Sequence, residues 1–144
     1  MMRSPLYDGV LSLQIIDEGA DNETLNGSGV DMQGYTDVVF IAAAQGGEDG
    51  TFTLKAQQDT ASNFANAADL AGSAVSFATT TSAGAVATLH IREPQEQYVR
   101  PVLVVPNLTA GKAVAVIAIK FGGKYLPESG NTGELHVAPG EGTA

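Results

Sequence analysis

Apolar side chains along this chain recur mainly at every second position, and no segment carries the three-to-four spacing of a long amphipathic helix. Leu11, Leu13 and Ile15 alternate with Ser12, Gln14 and Ile16, the pattern of a half-buried strand. Asp17–Gly29 is polar and rich in Gly and Asn, a connection rather than an element. Thr36–Ala44 is continuously apolar and predicts a strand covered on both faces. Gly46–Gly50 then forms a turn, with Asp49-Gly50 the pair favoured where a hairpin needs positive φ. Thr51–Gln57 alternates most cleanly: Phe52, Leu54 and Ala56 on one side, Thr51, Thr53, Lys55 and Gln57 on the other.

Asp59–Leu70 is a candidate helical turn with only Phe64 and Leu70 to bury. Ala74–Ala78 and Ala85–Ile91 read as strands joined at Thr79–Gly84. Gln97–Val105 follows, and Pro101, which has no N–H, predicts an edge position or a bulge there. After a turn at Pro106–Gly111, Lys112–Phe121 is apolar on both faces: Ala113, Ala115, Ile117, Ile119 and Phe121 on one, Val114, Val116 and Ala118 on the other. Such a strand is central in a sandwich or buries one face against another chain.

These are about seven short strands separated by turn signals, the mark of an all-β fold. The expectation is a single-domain antiparallel β-sandwich or small barrel, divided into an N-terminal arm (1–9), a body (10–121) and a C-terminal tail (122–144). The tail, rich in Gly, Pro and Glu, has only Tyr125, Leu126, Leu135 and Val137 to pack.

Composition narrows the function mostly by exclusion. The 144 residues include no Cys, which removes disulfides, thiolate metal sites and thiol nucleophiles. The longest apolar runs, Val38–Ala44 and Ala113–Ile119, are far short of the roughly 20 residues a spanning helix needs. The N-terminal MMRSPLYDGVLSLQIIDEG lacks a continuous apolar stretch and does not read as a signal peptide. A net charge of −9 argues against a nucleic-acid partner, which requires a basic face. That charge belongs to residues 1–90, with eleven acids against Arg3 and Lys55, whereas residues 91–144 are balanced. The bases collect between Arg92 and Lys124.

Catalytic and cofactor chemistry is sparse. His90 and His136 are the only histidines, and neither has a second ligand at metal-site spacing. No Ser lies in a nucleophile elbow, Gly111-Lys112 lacks the rest of a phosphate loop, and Gly27-Ser28-Gly29 fails the dinucleotide fingerprint at its third glycine. Asp17, Glu18, Asp21 and Glu23 are acidic but not spaced as a calcium loop. The expectation is a non-enzyme with no cofactor and no metal.

The stretch Leu25–Lys55, LNGSGVDMQGYTDVVFIAAAQGGEDGTFTLK, resembles a family of small β-rich virion proteins encoded beside the major capsid protein of tailed bacteriophages. Gln57-Gln58-Asp59, Tyr98-Val99-Arg100-Pro101-Val102 and the apolar strand ending at Phe121-Gly122 extend the resemblance across Thr24–Pro127. Two features depart from the pattern. The loop after Gln58 usually carries an aromatic, often Trp, where this chain offers Phe64, and Glu128–Ala144 runs beyond the pattern.

The resemblance implies a decoration (cement) protein on the outer surface of the head, often trimeric, whose partners are the major capsid protein and its own copies. Within that reading the candidate capsid contacts are Arg3, Pro5, Leu6 and Tyr7 of the arm, which offers itself for edge pairing, together with Arg92 and Arg100. The acidic part is expected toward solvent, and the basic segment or the arm toward the shell. The rival readings are a virion-displayed module for host surface carbohydrate and a tail or connector component.

Overall fold

In a computed structural model that describes residues 9–123, the chain forms ten strands, one of them, Thr24–Asn26, inside the stretch read as a connection. They are β1 (Val10–Ala20), β2 (Thr24–Asn26), β3 (Val30–Asp31), β4 (Asp37–Ala44), β5 (Gly50–Asp59), β6 (Ala68–Asp69), β7 (Val75–Thr79), β8 (Ala85–Arg92), β9 (Tyr98–Val104) and β10 (Lys112–Phe121). Two antiparallel sheets result. One has the order β1-β10-β4-β8; the other has β2-β9-β5-β6, with β3 also on β9 and β7 also on β5. The short strands β2 and β3 share one lane and β6 and β7 another, so each sheet is four lanes wide. Counted by lane, first pairs with last, second with seventh, third with sixth and fourth with fifth. That palindrome is the winding of a jelly roll, a sandwich rather than a barrel.

The core fills the gap between the sheets. Val38, Phe40, Ala42 and Ala44 of β4 and Val114, Val116 and Ala118 of β10 face inward from the first sheet. Phe52, Leu54 and Ala56 of β5 and Val99 and Leu103 of β9 face them from the second. Phe52 stacks on Phe77 at 5.5 Å between ring centroids. Phe40, Phe52, Leu54 and Leu103 are the largest wholly buried side chains, so the alternation read in Thr51–Gln57 is the alternation observed.

Several expectations are corrected. Leu11, Leu13 and Ile15 do not share a face. The register with β10 shifts between Leu13 and Ile15, so Gln14 is an extra residue and Ile15 turns into the core. β9 is not at an edge: it lies between the β2/β3 lane and β5. Its Pro101 sits where the neighbouring lane is interrupted, at Gly27, whose N–H donates to Pro101 O at 2.8 Å. A Cβ on Gly27 would fall 2.6 Å from Pro101 Cδ, so the ring is housed by a residue without a side chain.

The turn before β5 is not a hairpin. It crosses from the first sheet to the second, and the positive φ falls on Gly47 rather than Gly50. The 59–70 segment forms no helix but single turns, one closed by the Phe64 N–H donating to Ala61 O at 3.1 Å, and the short β6, and the Asp59 carboxylate holds it by accepting the N–H groups of Ala61 and Asn66 at 3.0 and 2.8 Å.

Candidate functional site

The inward and outward rows of the four-stranded sheet are set by its registers, and the outward rows are unusual. Leu11, Ile119, Val39 and His90 lie side by side across the sheet. The next row is Leu13, Ile117, Ile41 and Thr88, and the third is Ile16, Ala115, Ala43 and Val86. Ten of these twelve side chains are wholly apolar. Leu13 is 55% exposed, Ile16 68% and Val86 66%, whereas Ile119 is buried, so the second and third rows are open and the first is partly covered. Four lanes about 4.8 Å apart and three rows about 6.8 Å apart cover roughly 400 Å². That footprint falls within the roughly 300–600 Å² spanned by the largest apolar patch of a typical monomer, a patch that is often functional.

The outer face of the other sheet has the opposite character. Arg100 Nε and Nη2 both donate to Gln57 Oε1, at 3.0 and 2.7 Å, while its guanidinium lies 4.7 Å from the Phe64 ring centroid. Gln57 Nε2 donates to Asp69 Oδ1 at 2.7 Å, and Lys55 Nζ pairs with Asp69 Oδ2 at 2.8 Å. These polar groups satisfy one another in water. The second exterior is thus the more polar of the two, with Val104 exposed beside the network.

One end of the apolar face is bordered by charge. Asp37 and Arg92 are register partners there, and His90 Nε2 lies 2.6 Å from Asp37 Oδ2. Thr36 Oγ1 donates to Asp37 Oδ1 at 2.5 Å, and the His90 ring rests 5.6 Å from that of Phe121. Burial works to raise the Asp37 carboxyl, but the hydrogen bonds from Thr36 and His90 and the nearby His90 and Arg92 charges outweigh it. The carboxyl is held below the usual aspartate range.

The residues singled out from the sequence are scattered. Arg3, Pro5, Leu6 and Tyr7 lie outside the described residues. Arg92 borders the apolar face, whereas Arg100 is on the opposite exterior, so the structure does not bring the two arginines together. The acidic–basic division along the chain is likewise not a division between faces, because β1, β4, β8 and β10 interleave in one sheet. In the Asp17–Glu23 segment, Asp21 Oδ1 accepts the Leu108 N–H at 2.7 Å and Asp17 Oδ1 that of Gly19. Among the described residues no three His, Asp or Glu side chains gather as a metal site.

The apolar face itself was only half announced. Two-sided apolarity in Lys112–Phe121 signalled it, but the contribution of β1 depends on the bulge at Gln14.

Comparison with solved structures finds a likeness of fold. The crystal structure of PBSX exported protein XepA matches with a TM-score of 0.61 over 97% of this chain, at 19% identity. What is shared is the fold. This chain spans 46% of the XepA chain, less than half its length. A structure described as "CBM4 structure and function" matches at a TM-score of 0.47 and 12% identity, covering 79% of this chain and 75% of that one. No family model matches the sequence, and no curated protein does.

Proposed function

We propose that this chain is a non-enzymatic structural protein of a tailed-phage particle, seated on the outside of the head with the apolar face of its four-stranded sheet against the major capsid protein. The observation that carries this reading is the contrast between the two exteriors: Leu11, Leu13, Ile16 and Val86 exposed on one, the Lys55–Asp69–Gln57–Arg100 network on the other. An apolar patch of this size is often functional, and a protein laid on a shell has a use for one apolar and one more polar exterior. The sequence resemblance to head-associated proteins supports the same assignment; the likeness to PBSX exported protein XepA is one of fold.

Area decides how much of the contact this face supplies. A stable interface takes about 800 Å² from each partner. The roughly 400 Å² of outward sheet is about half of that. The reading gives the remainder to the N-terminal residues Arg3, Pro5, Leu6 and Tyr7, to Arg92 at the rim, and to neighbouring copies in a homotrimer.

The test is co-sedimentation with bare, expanded heads of the parent phage. The wild-type protein is expected to saturate them, and Leu13→Asp, at an exposed position, to keep its melting temperature but lose saturable binding. Absence of wild-type binding, or equal binding by the variant, contradicts the proposal.

A further inference from the structure

The edges of the two sheets are not defended alike. In the second sheet the edge lanes are broken into short strands, β2 and β3 on one side and β6 and β7 on the other. β1, an edge of the first sheet, carries two register shifts against β10. Short strands and bulges are the usual devices that keep an edge from pairing with another chain. β8 has neither. It pairs with β4 without a shift, from Asp37–Arg92 to Ala44–Ala85, and includes no Pro, Gly or Lys. Among the described residues only β4 pairs with it, while β7, which precedes it, pairs with β5 in the other sheet.

Two backbone hydrogen bonds fix which groups of β8 are left over. The Glu93 N–H donates to Thr36 O at 2.7 Å, one step beyond the Asp37–Arg92 pair. On the opposite side of β4, the Gln45 N–H donates to Ala113 O at 2.9 Å, one step beyond Ala44–Val114. Hydrogen-bonded pairs alternate along an antiparallel ladder, and both bonds give the same phase. Val38 bonds Ile91 and Phe40 bonds Leu89. The N–H and C=O groups of Val86, Thr88, His90 and Arg92 therefore point to the open edge.

We propose that β8 is a self-association edge, through which two copies join their four-stranded sheets into one eight-stranded sheet. A two-fold axis perpendicular to the sheet sets β8 antiparallel to itself. With Leu89 on the axis, Val86 meets Arg92 of the partner subunit and Thr88 meets His90 of the partner subunit. All four open residues are then used, in about eight N–H···O bonds. The two Arg92 side chains fall at opposite ends, about 20 Å apart, so like charges do not oppose one another. The same axis leaves both apolar faces on one side of the sheet. Together they cover roughly 800 Å², about what a stable interface takes from one partner, where a single copy offers half. That area argument rests on the docking reading of the face; the open edge does not. The contact is two-fold, and joins copies that a threefold arrangement alone leaves apart.

The test is sedimentation of the isolated full chain from about 5 to about 500 µM, with amide exchange at both ends of the range. A concentration-dependent doubling of mass is expected, with a dissociation constant on the order of 10–100 µM. Amides of Thr88, His90 and Arg92 are expected to slow only at the high concentration. Those of Leu89 and Ile91, bonded to β4, are expected to be slow throughout. Thr88→Pro removes an N–H that no strand of its own subunit uses, and is expected to weaken pairing tenfold or more, because the axis repeats the loss. Leu13→Asp, on the apolar face but off the edge, is expected to leave pairing intact while abolishing head binding, so the two readings fail separately. Mass that never doubles overturns the proposal, as does doubling that survives Thr88→Pro. Loss of doubling in Leu13→Asp assigns the contact to the faces and overturns it too. The wild-type exchange pattern decides even if Thr88→Pro does not fold: edge amides that stay fast at 500 µM, or are already slow at 5 µM, contradict pairing between copies.

Discussion

The Gly29 N–H donates to Gln14 Oε1 at 2.8 Å, and this contact across fifteen positions fixes which residues β1 shows to the outside. Gln14 is buried, and its amide Nε2 donates to Ser12 Oγ at 2.9 Å. Anchoring the glutamine inside the sandwich makes it the extra residue of a bulge. Leu11 and Leu13 before it, and Ile16 after it, then share the outer face, while Ile15 enters the core.

Replacing that anchor has a definite cost. Gln14→Ala leaves the Gly29 N–H without its acceptor in a part-buried setting. A loss of about 1–3 kcal/mol in unfolding free energy is expected, measured by urea denaturation.

Gly27 and Pro101 are expected to be coupled. Gly27→Ala drives a Cβ into the proline ring, an overpacking that costs about 1–3 kcal/mol. Pro101→Ala removes the ring atoms in the way. In a double-mutant cycle the pair is expected to be less destabilised than the sum of the two single changes.

These two sites also show where the sequence was readable and where it was not. The alternation of Thr51–Gln57 reports a local property, the pleat, and its inward residues Phe52, Leu54 and Ala56 were legible directly. The bulge at Gln14 and the housing of Pro101 depend on partners far along the chain, Gly29 and Gly27, which period-two reading does not see. β3 and β6, two residues each, are too short to carry a pattern at all. Both faces of Val38–Ala44 being apolar suggested cover on both sides. The structure covers the side with Phe40 and Ala42, and leaves Ala43 exposed on the other.

Acid should weaken the end of the sandwich that carries Asp37. Its folded carboxyl titrates below the ordinary aspartate value, so the stabilisation is complete above that value and is lost as pH falls through the lowered one. Asp37→Asn is expected to flatten this part of the acid limb of the melting-temperature profile, compared with wild type between about pH 5 and pH 2.

The two exteriors should respond differently to the same substitution. Ile16→Lys and Thr53→Lys both fall on solvent-facing strand positions and are expected to change unfolding free energy by no more than about 0.5 kcal/mol. Ile16→Lys breaks the apolar face and is expected to raise the solubility limit of the isolated protein and abolish head binding. Thr53→Lys is expected to do neither.

The most direct measurement is an electron cryomicroscopy reconstruction of expanded heads saturated with this protein. The expected density places β1, β10, β4 and β8 against the shell, with Leu13, Ile16 and Val86 buried at the contact and the Lys55–Arg100 exterior facing solvent. A reconstruction with the polar sheet or the Asp17–Glu23 segment against the shell, and the apolar face still open to water, would contradict the account.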